Sequence, residues 1–258
     1  MKKKTKAILV VCISLYVLLR WVPPMYIMAE DIVYRDSLEL VKAIRAQDIE
    51  KTEKLLKKGT DPNRLSGKVH FYSGLVSPGP ARPLSEACFT GNLELVQLLI
   101  DYGATAECSV DDYARSPLYA ALSEYHPDDL QIVGLLLEHG AEINEQRKEH
   151  TPEPVFQAAG IWVNRRGAYD DEAAKCAVEL VDLLLDGRTV NLRSENCGGS
   201  TLILNAASVG NRDLVEYLIS RGADPYLTND YGTNAVDCAK EYGYSDILAL
   251  ISKQTGDE

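Results

Sequence analysis

The side chains that could catalyse a reaction or bind a metal ion are few and scattered. The four histidines lie far apart: His70, His126, His139 and His150. None belongs to the His-Glu-x-x-His pattern of a zinc hydrolase, and the sequence contains no P-loop and no Gly-x-Ser-x-Gly nucleophile turn. His126, Asp128 and Asp129 could meet a cation, but two carboxylates after a proline are more often a helix start. The sequence therefore predicts a protein that is not an enzyme and uses no cofactor or metal.

The six cysteines predict no metal site and no essential disulfide. Cys12 lies in an apolar N-terminal segment, and no two of the others form a Cys-x-x-Cys pair. Cys88 and Cys238 stand where the helices described below need a small residue, so we expect them to be buried in place of alanine.

Composition and charge narrow the class of protein further. Hydrophobic residues make up 46% and charged residues 25% of the 258 residues, which is ordinary for a folded domain and excludes a disordered or collagen-like chain. The formal net charge is -11. A nucleic-acid partner is therefore not expected, because binding phosphates requires a concentrated basic surface.

Residues 1–29 have the pattern of an export signal, with four lysines before an apolar run from Ala7 to Leu19. This run of 13 residues would form about 20 Å of helix, which is short of a hydrocarbon core of about 30 Å and suits a cleaved signal peptide. However, Arg20 can extend to the membrane surface, and apolar character resumes from Val22 to Ala29. We therefore prefer an uncleaved signal anchor. A buried helix of a cytosolic protein is a further alternative.

The lysines also predict the orientation, because positively charged flanks stay in the cytoplasm. Four lysines before a short apolar run are typical of a bacterial export signal. The expected location is thus the bacterial inner membrane, single-pass with the C-terminal domain in the periplasm, or soluble in the periplasm after cleavage. Without residues 1–29, 22 basic residues remain against 38 acidic ones, so the exported part has a net charge of -16.

The rest of the chain repeats itself. The clearest copies are residues 82–108 and 200–227, and each has two glycines twelve residues apart. A proline opens the first helix at Pro83, and glycines at Gly91 and Gly210 are expected to end first helices in the left-handed conformation. Apolar residues at helical spacing then predict a second helix. Further copies are weaker, carry insertions or are truncated: residues 37–63, 116–144, 151–191 and 231–251.

This unit of two helices and a protruding loop, about 33 residues long, resembles the ankyrin repeat. The resemblance covers residues 36–254 and rests on the family's Thr-Pro-Leu-His start and its Leu-Leu-x-x-Gly-Ala-x-x-Asn finish. It implies an all-α solenoid of about six helix-turn-helix repeats with hairpin-like loops. The expected repeats are residues 36–63, 82–110, 115–147, 151–193, 199–230 and 231–254. The start-motif histidine is replaced by Ser85, Tyr119 and Ile203, so helix capping must differ from the family's usual pattern.

Tyrosines are the first candidate contacts, because 14 Tyr against 3 Phe favours side chains suited to wet interfaces. Five of them fall where the resemblance implies the concave face or the loops: Tyr113, Tyr119, Tyr125, Tyr226 and Tyr231. The alternative is that they pack within repeats, as we expect for Tyr102, Tyr217 and Tyr242.

Two insertions supply the other candidates. Residues 64–81 lack acidic side chains and carry Phe71 and Tyr72, while residues 160–175 carry Trp162, Arg165 and Arg166. Aromatic and arginine side chains dominate interface hot spots. The first insertion could instead be a surplus loop, and the second could extend a helix and bury Trp162.

The resemblance implies a monomeric, non-enzymatic scaffold that binds a protein partner through its concave face and loops. The acidic body favours a basic partner. The alternative is an immunity protein that neutralises a secreted toxic effector in the periplasm. An enzyme hidden in the insertions is a third class, for which the sequence offers no motif.

Overall fold

The structure is a computed structural model and describes residues 35–66, 81–107, 116–143, 153–160, 171–185, 187, 189–194 and 197–255. These residues form helices joined by turns and contain no β-strand, although Arg193 and Thr201 form one isolated bridge. No helix within the described ranges is both long and apolar enough to span a bilayer. Residues 1–29 lie outside these ranges, so the signal or anchor segment stays a prediction.

The helices form two rows. The first helix of each pair contacts the first helix of the next pair, and the second helices do the same. The first row is 35–45 (α1), Pro83–Thr90 (α3), Pro117–Ala121 (α5), Pro154–Ala159 (α7), Leu202–Val209 (α9) and Ala235–Tyr242 (α11). The second row is Ile49–Lys57 (α2), Leu93–Asp101 (α4), Asp129–Glu138 (α6), Asp171–Leu185 (α8), Arg212–Ser220 (α10) and Ser245–Thr255 (α12).

One hydrophobic core runs the length of this stack, from Leu40 in α1 to Ile251 in α12. Small residues let the first helices approach closely, since Ala87, Ala120 and Ala206 have almost no exposed surface. Cys88 is also fully buried, which confirms its predicted role in place of alanine. Because each pair buries its apolar side chains against its neighbours, the pairs stabilise one another along the row.

The helix ends follow the predicted signals. Pro83 and Pro117 open α3 and α5, and Gly91 ends α3 with a left-handed φ of 65°. Capping varies, as the missing histidine predicts. Ser116 Oγ accepts from the Tyr119 amide in α5, and Thr201 Oγ1 accepts from the Leu204 amide in α9.

Neighbouring pairs are also joined by asparagines in their loops. Asn63 donates from Nδ2 to the Gly103 carbonyl at 2.8 Å, and its Oδ1 accepts from the Thr105 amide at 2.8 Å. Asn191 repeats this arrangement with the Gly222 carbonyl and the Asp224 amide. The asparagine of the finishing motif therefore links each of these loops to the next pair.

The second insertion partly becomes helix. Its residues 171–175 form the start of α8, which has 15 residues where α4 and α10 have 9 each. Ala173 and Ala174 in this added portion are fully buried. Trp162 lies outside the described residues, as does most of the first insertion.

Candidate protein-binding surface

The structure describes four of the ten predicted contact residues. Tyr119, Tyr125, Tyr226 and Tyr231 are placed. The other six lie outside the described residues: Phe71, Tyr72, Tyr113, Trp162, Arg165 and Arg166. Their role stays a prediction.

Tyr231 is the most exposed of the large hydrophobic side chains in the described chain, with 83% of its surface accessible. The backbone beneath it is held firmly. Asn229 Oδ1 accepts hydrogen bonds from the amides of Tyr231 and Thr233, each at 2.9 Å. The ring lies against Gly198 of the preceding loop, where an added Cβ would stand 2.7 Å from it. An exposed aromatic ring on a fixed backbone is a favourable anchor, since little freedom is lost on binding.

Tyr226 lies in the same loop and is 45% exposed. Its amide donates to Asp224 Oδ1 at 2.9 Å, and the Asp224 amide donates to Asn191 Oδ1 of the preceding loop. The start of the loop that carries both tyrosines is therefore bonded to the preceding loop.

An arginine ties the middle of the loop down. Arg193 donates from Nη1 to the Thr228 carbonyl at 2.7 Å and from Nη2 to Asp230 Oδ1 at 2.6 Å. The Asp230 amide donates to the Gly198 carbonyl at 2.9 Å. We name the exposed side of loop 224–233, with the described part of loop 191–200 beneath it, the finger surface.

Sequence reasoning missed the residues that position these tyrosines. Asn229 and Asp230 directly precede Tyr231, and Asn-Asp before Tyr-Gly signals a turn that closes on its own side chains. Arg193 gave no local signal, because its partners lie 35 and 37 residues away.

Tyr119 and Tyr125 are placed differently. Tyr119 is half-buried on α5, and Tyr125 is half-buried and packs against the core. In the row of first helices, α7 and α9 stand between α5 and α11, which follows the finger surface. The structure thus exposes Tyr226 and Tyr231 on one loop and places Tyr119 and Tyr125 elsewhere in the stack.

His126 and Asp129 form a buried pair. Asp128 holds the N-cap position of α6 and Asp129 opens the helix, which confirms the predicted helix start. The Asp129 carboxylate is fully buried, accepts from the His126 amide at 2.6 Å and lies 3.4 Å from His126 Nδ1. Burial raises the pKa of Asp129, while the hydrogen bonds from His126 oppose this rise. The residues described by the structure contain no group of three or more side chains that could hold a metal ion.

The four described cysteines, Cys88, Cys176, Cys197 and Cys238, have free thiols. Burial raises the pKa of the Cys88 thiol and raises the pKa of Cys176 to about 12. Since a thiolate is the reactive form of cysteine, these two thiols are poor nucleophiles.

The paired helices, the continuous core and the left-handed glycines agree with a known repeat family. A family model described as ankyrin repeats (three copies) matches residues 40–147 and 172–257. The chain belongs to the ankyrin repeat family. The fold predicted from the sequence, an all-helical ankyrin repeat stack, is confirmed.

Relatives cover the same repeats within varied proteins. The ankyrin repeat and KH domain-containing protein mask-1 of Caenorhabditis elegans is 30% identical over 70% of this chain. This ankyrin repeat chain spans only 6% of that relative's length and 14% of human transient receptor potential cation channel subfamily A member 1. The putative ankyrin repeat protein YahD of Escherichia coli is 25% identical over 60% of this chain and 71% of its own length.

Two solved structures share the fold of this chain. The human ASB11 ankyrin repeat domain has a TM-score of 0.61 at 20% identity, over 83% of this chain and 81% of its own. A chain from the complex of Bd0816 predatory endopeptidase from Bdellovibrio bacteriovorus with immunity protein Bd3460 has a TM-score of 0.60 at 22% identity. That match covers 83% of this chain and 97% of the other.

Proposed function

We propose that this protein is a non-enzymatic scaffold that binds a protein partner through the concave face and loops of its ankyrin stack. The observation that carries the proposal is the finger surface, where Tyr226 and Tyr231 are exposed on a loop fixed by Asn229, Arg193 and Asn191. Aromatic side chains on a preorganised backbone supply contact area at low entropic cost. Repeat stacks of this family typically bind other proteins and do not catalyse reactions.

The partner of the finger surface is basic, and it meets the stack on the exported side of a membrane. The net charge of -16 after residue 29 supports a basic partner, because complementary charge accelerates encounter. The basic and apolar residues 1–29 support a single-pass inner-membrane location with the repeats in the periplasm. Cleavage after residue 29 would give a soluble periplasmic form of the same scaffold.

The test is co-purification of the tagged, full-length protein with its partner, identified by mass spectrometry. The wild type should retain a discrete partner, and the double variant Tyr226→Ala, Tyr231→Ala should lose it. Tyr242→Ala is the matched control. The prediction that Tyr242 packs within its repeat is wrong, because it is 57% exposed, and it lies at the opposite end of α11 from loop 224–233. Equal recovery of the partner by all three proteins would contradict the proposed surface.

A second candidate function is that of an immunity protein, which would neutralise a secreted toxic effector in the periplasm. It is favoured by the fold shared with a chain of a complex that contains an immunity protein. It predicts that the gene lies beside the effector's gene and that the protein rescues cells expressing that effector in the periplasm. A general scaffold should do neither.

A further inference from the structure

A groove of about 1050 Å³ runs between α4 and α6, two neighbours in the row of second helices. It lies in the row of second helices, whereas the finger surface belongs to the loops that lead into the first helices. The floor of the groove is formed by the half-buried side chains of Leu98 and Leu135 and by Gly134. Its edges carry the acidic side chains of Glu94, Asp101 and Glu138.

The molecule closes the corresponding gap between α8 and α10. Tyr217 of α10 donates its hydroxyl hydrogen to Asp182 Oδ1 of α8. Arg221 donates to that same Oδ1 and to the Tyr217 hydroxyl, each at 2.8 Å, and its guanidinium lies 5.5 Å from the Tyr217 ring centre. The hydrogen bond from Tyr217 lowers the pKa of Asp182. A polar network therefore spans one gap of this row.

The helices on the two sides of the groove carry different residues at the matching positions. Gln97 in α4 occupies the position that Asp182 has in α8, since each follows a buried leucine by two residues. Gln97 does not reach the neighbouring helix but donates to Asp101 of its own helix. His139 corresponds to Arg221, and its Nδ1 lies 2.9 Å from the Leu135 carbonyl, also within its own helix.

Gly134 lines the same groove. It matches Glu216 of α10, and a Cβ added at Gly134 would meet nothing within 4 Å. A glycine inside a helix costs up to about 1 kcal/mol relative to alanine, because it loses more backbone freedom. The missing side chain leaves room for a side chain from another molecule to enter between the helices.

The charge of the groove selects the kind of molecule. Among its lining residues in the described chain, Glu94, Asp101, Asp128 and Glu138 are acidic and none is basic. Four carboxylates around leucines repel an acidic or purely apolar segment and attract one that combines positive charge with an apolar face. An amphipathic helix meets both requirements, since it presents apolar residues at i, i+3, i+4 and i+7 between flanking charges.

We infer that the α4–α6 groove binds a basic amphipathic helix of a partner protein, with an apolar side chain seated over Gly134 and lysines or arginines against the acidic edges. This second docking surface is separate from the finger surface. A stack with both can hold two protein segments at once.

The test uses the full-length protein and a labelled peptide of roughly 18 residues, long enough to form a helix on binding. The peptide has leucines at i, i+3, i+4 and i+7 and lysines elsewhere, and a matched peptide has glutamates in place of the lysines. Fluorescence anisotropy at physiological salt should show binding of the lysine peptide alone. The methyl resonances of Leu98 and Leu135 should shift when it binds.

Two variants examine the site directly. Gly134→Leu fills the groove, and Glu94→Gln with Glu138→Gln removes two edge charges. Each should weaken binding of the lysine peptide about tenfold, in the manner of an interface that combines an apolar pocket with complementary charge. Glu241→Gln with Asp246→Asn is the matched control, because it removes two exposed carboxylates of α11 and α12 and should leave affinity within about twofold. The thermal midpoint of Gly134→Leu should not fall, since leucine favours a helix more than glycine does.

Several outcomes would overturn the inference. They are absence of peptide binding, equal affinity of wild type and Gly134→Leu, and a wild-type dimer that Gly134→Leu dissociates. Peptide binding only after removal of residues 1–29 would instead assign the groove to the protein's own basic and apolar N-terminal segment. Variants in the groove should leave co-purification through the finger surface unchanged, so the two proposals fail separately.

Discussion

The imidazole ring of His126 lies directly over the α-carbon of Gly91. Gly91 ends α3 in the left-handed conformation, and a Cβ there would stand 2.1 Å from His126 Cγ. Tyr244 has the same relationship to Gly210, where an added Cβ would be 2.8 Å from the ring. In both places a ring between the two helices of one pair covers the glycine that ends the first helix of the preceding pair.

Gly91→Ala should therefore destabilise the protein more than Gly103→Ala. Both glycines have positive φ, 65° and 87°, so alanine is strained at either position. Only Gly91 has a ring in the way, whereas a Cβ at Gly103 meets nothing within 4 Å. Urea unfolding should show a loss of about 1 kcal/mol for Gly103→Ala from strain alone and about 2–4 kcal/mol for Gly91→Ala from strain and overpacking. In the double variant with His126→Ala, Gly91→Ala should lose less unfolding free energy than it does in the wild type, because the ring is gone. If the losses of the two single variants simply add in the double variant, the ring is not the cause.

Asp129 should make stability fall as the pH rises from acid to neutral. Burial raises the pKa of Asp129 in the folded protein above its ordinary value of 3.8. The folded state then holds its proton at a pH where the unfolded state has lost it, so stability declines from about pH 3.8 up to the raised pKa. Asp129→Asn keeps an oxygen that can accept from the His126 amide and removes the charge.

The stability of Asp129→Asn relative to wild type should consequently increase between pH 3 and pH 7 in urea titrations. The exposed carboxylate variant Glu241→Gln is the control and should track the wild type. A difference between Asp129→Asn and wild type that does not change with pH would contradict the raised pKa.

Asn63→Ala should lower the free energy of unfolding by about 1–2 kcal/mol. The substitution removes the bonds to the Gly103 carbonyl and the Thr105 amide, which join two neighbouring pairs. Asn63→Asp keeps an acceptor for Thr105 but cannot donate to Gly103, so it should lie between alanine and wild type. Equal unfolding midpoints for all three proteins would show that water replaces these bonds without loss.

Tyr231→Ala should weaken binding of the co-purified partner by about 2 kcal/mol, the size expected of a hot-spot aromatic residue. The thermal midpoint of this variant should change little, because 83% of the surface of Tyr231 is accessible. Isothermal titration calorimetry and a thermal melt separate the two effects. Unchanged affinity with a lower midpoint would assign Tyr231 to the packing of its loop against Gly198.

Trp162→Ala gives the corresponding test of the second insertion. If Trp162 lies at the interface, its replacement should weaken the binding free energy by about 2 kcal/mol and leave the thermal midpoint unchanged. A residue buried against α8 should instead lower the midpoint and spare the affinity. Phe71→Ala in the first insertion can be measured beside it under the same conditions.

The amino-acid sequence by itself determined the repeat and its helices. Local signals were sufficient, because Pro83 and Gly91 mark the ends of a helix through backbone geometry alone. Apolar residues at helical spacing, such as Leu95 and Leu99, likewise mark the buried face wherever the helix lies. The sequence also singled out Tyr226 and Tyr231 as candidate contacts, although it grouped them with Tyr119 and Tyr125.

Only the tertiary structure decided which side chains meet. Arg193 binds Asp230 of the next loop, and His126 packs over Gly91 of the preceding pair. Asp182 bonds across the gap between α8 and α10, whereas Gln97 makes no such bond between α4 and α6 and donates within its own helix. These relationships depend on how one pair packs against the next, and residues about 35 positions apart carry no local trace of that packing. Short-range sequence patterns therefore determine the repeated fold, while the surfaces of the stack depend on contacts between neighbouring pairs.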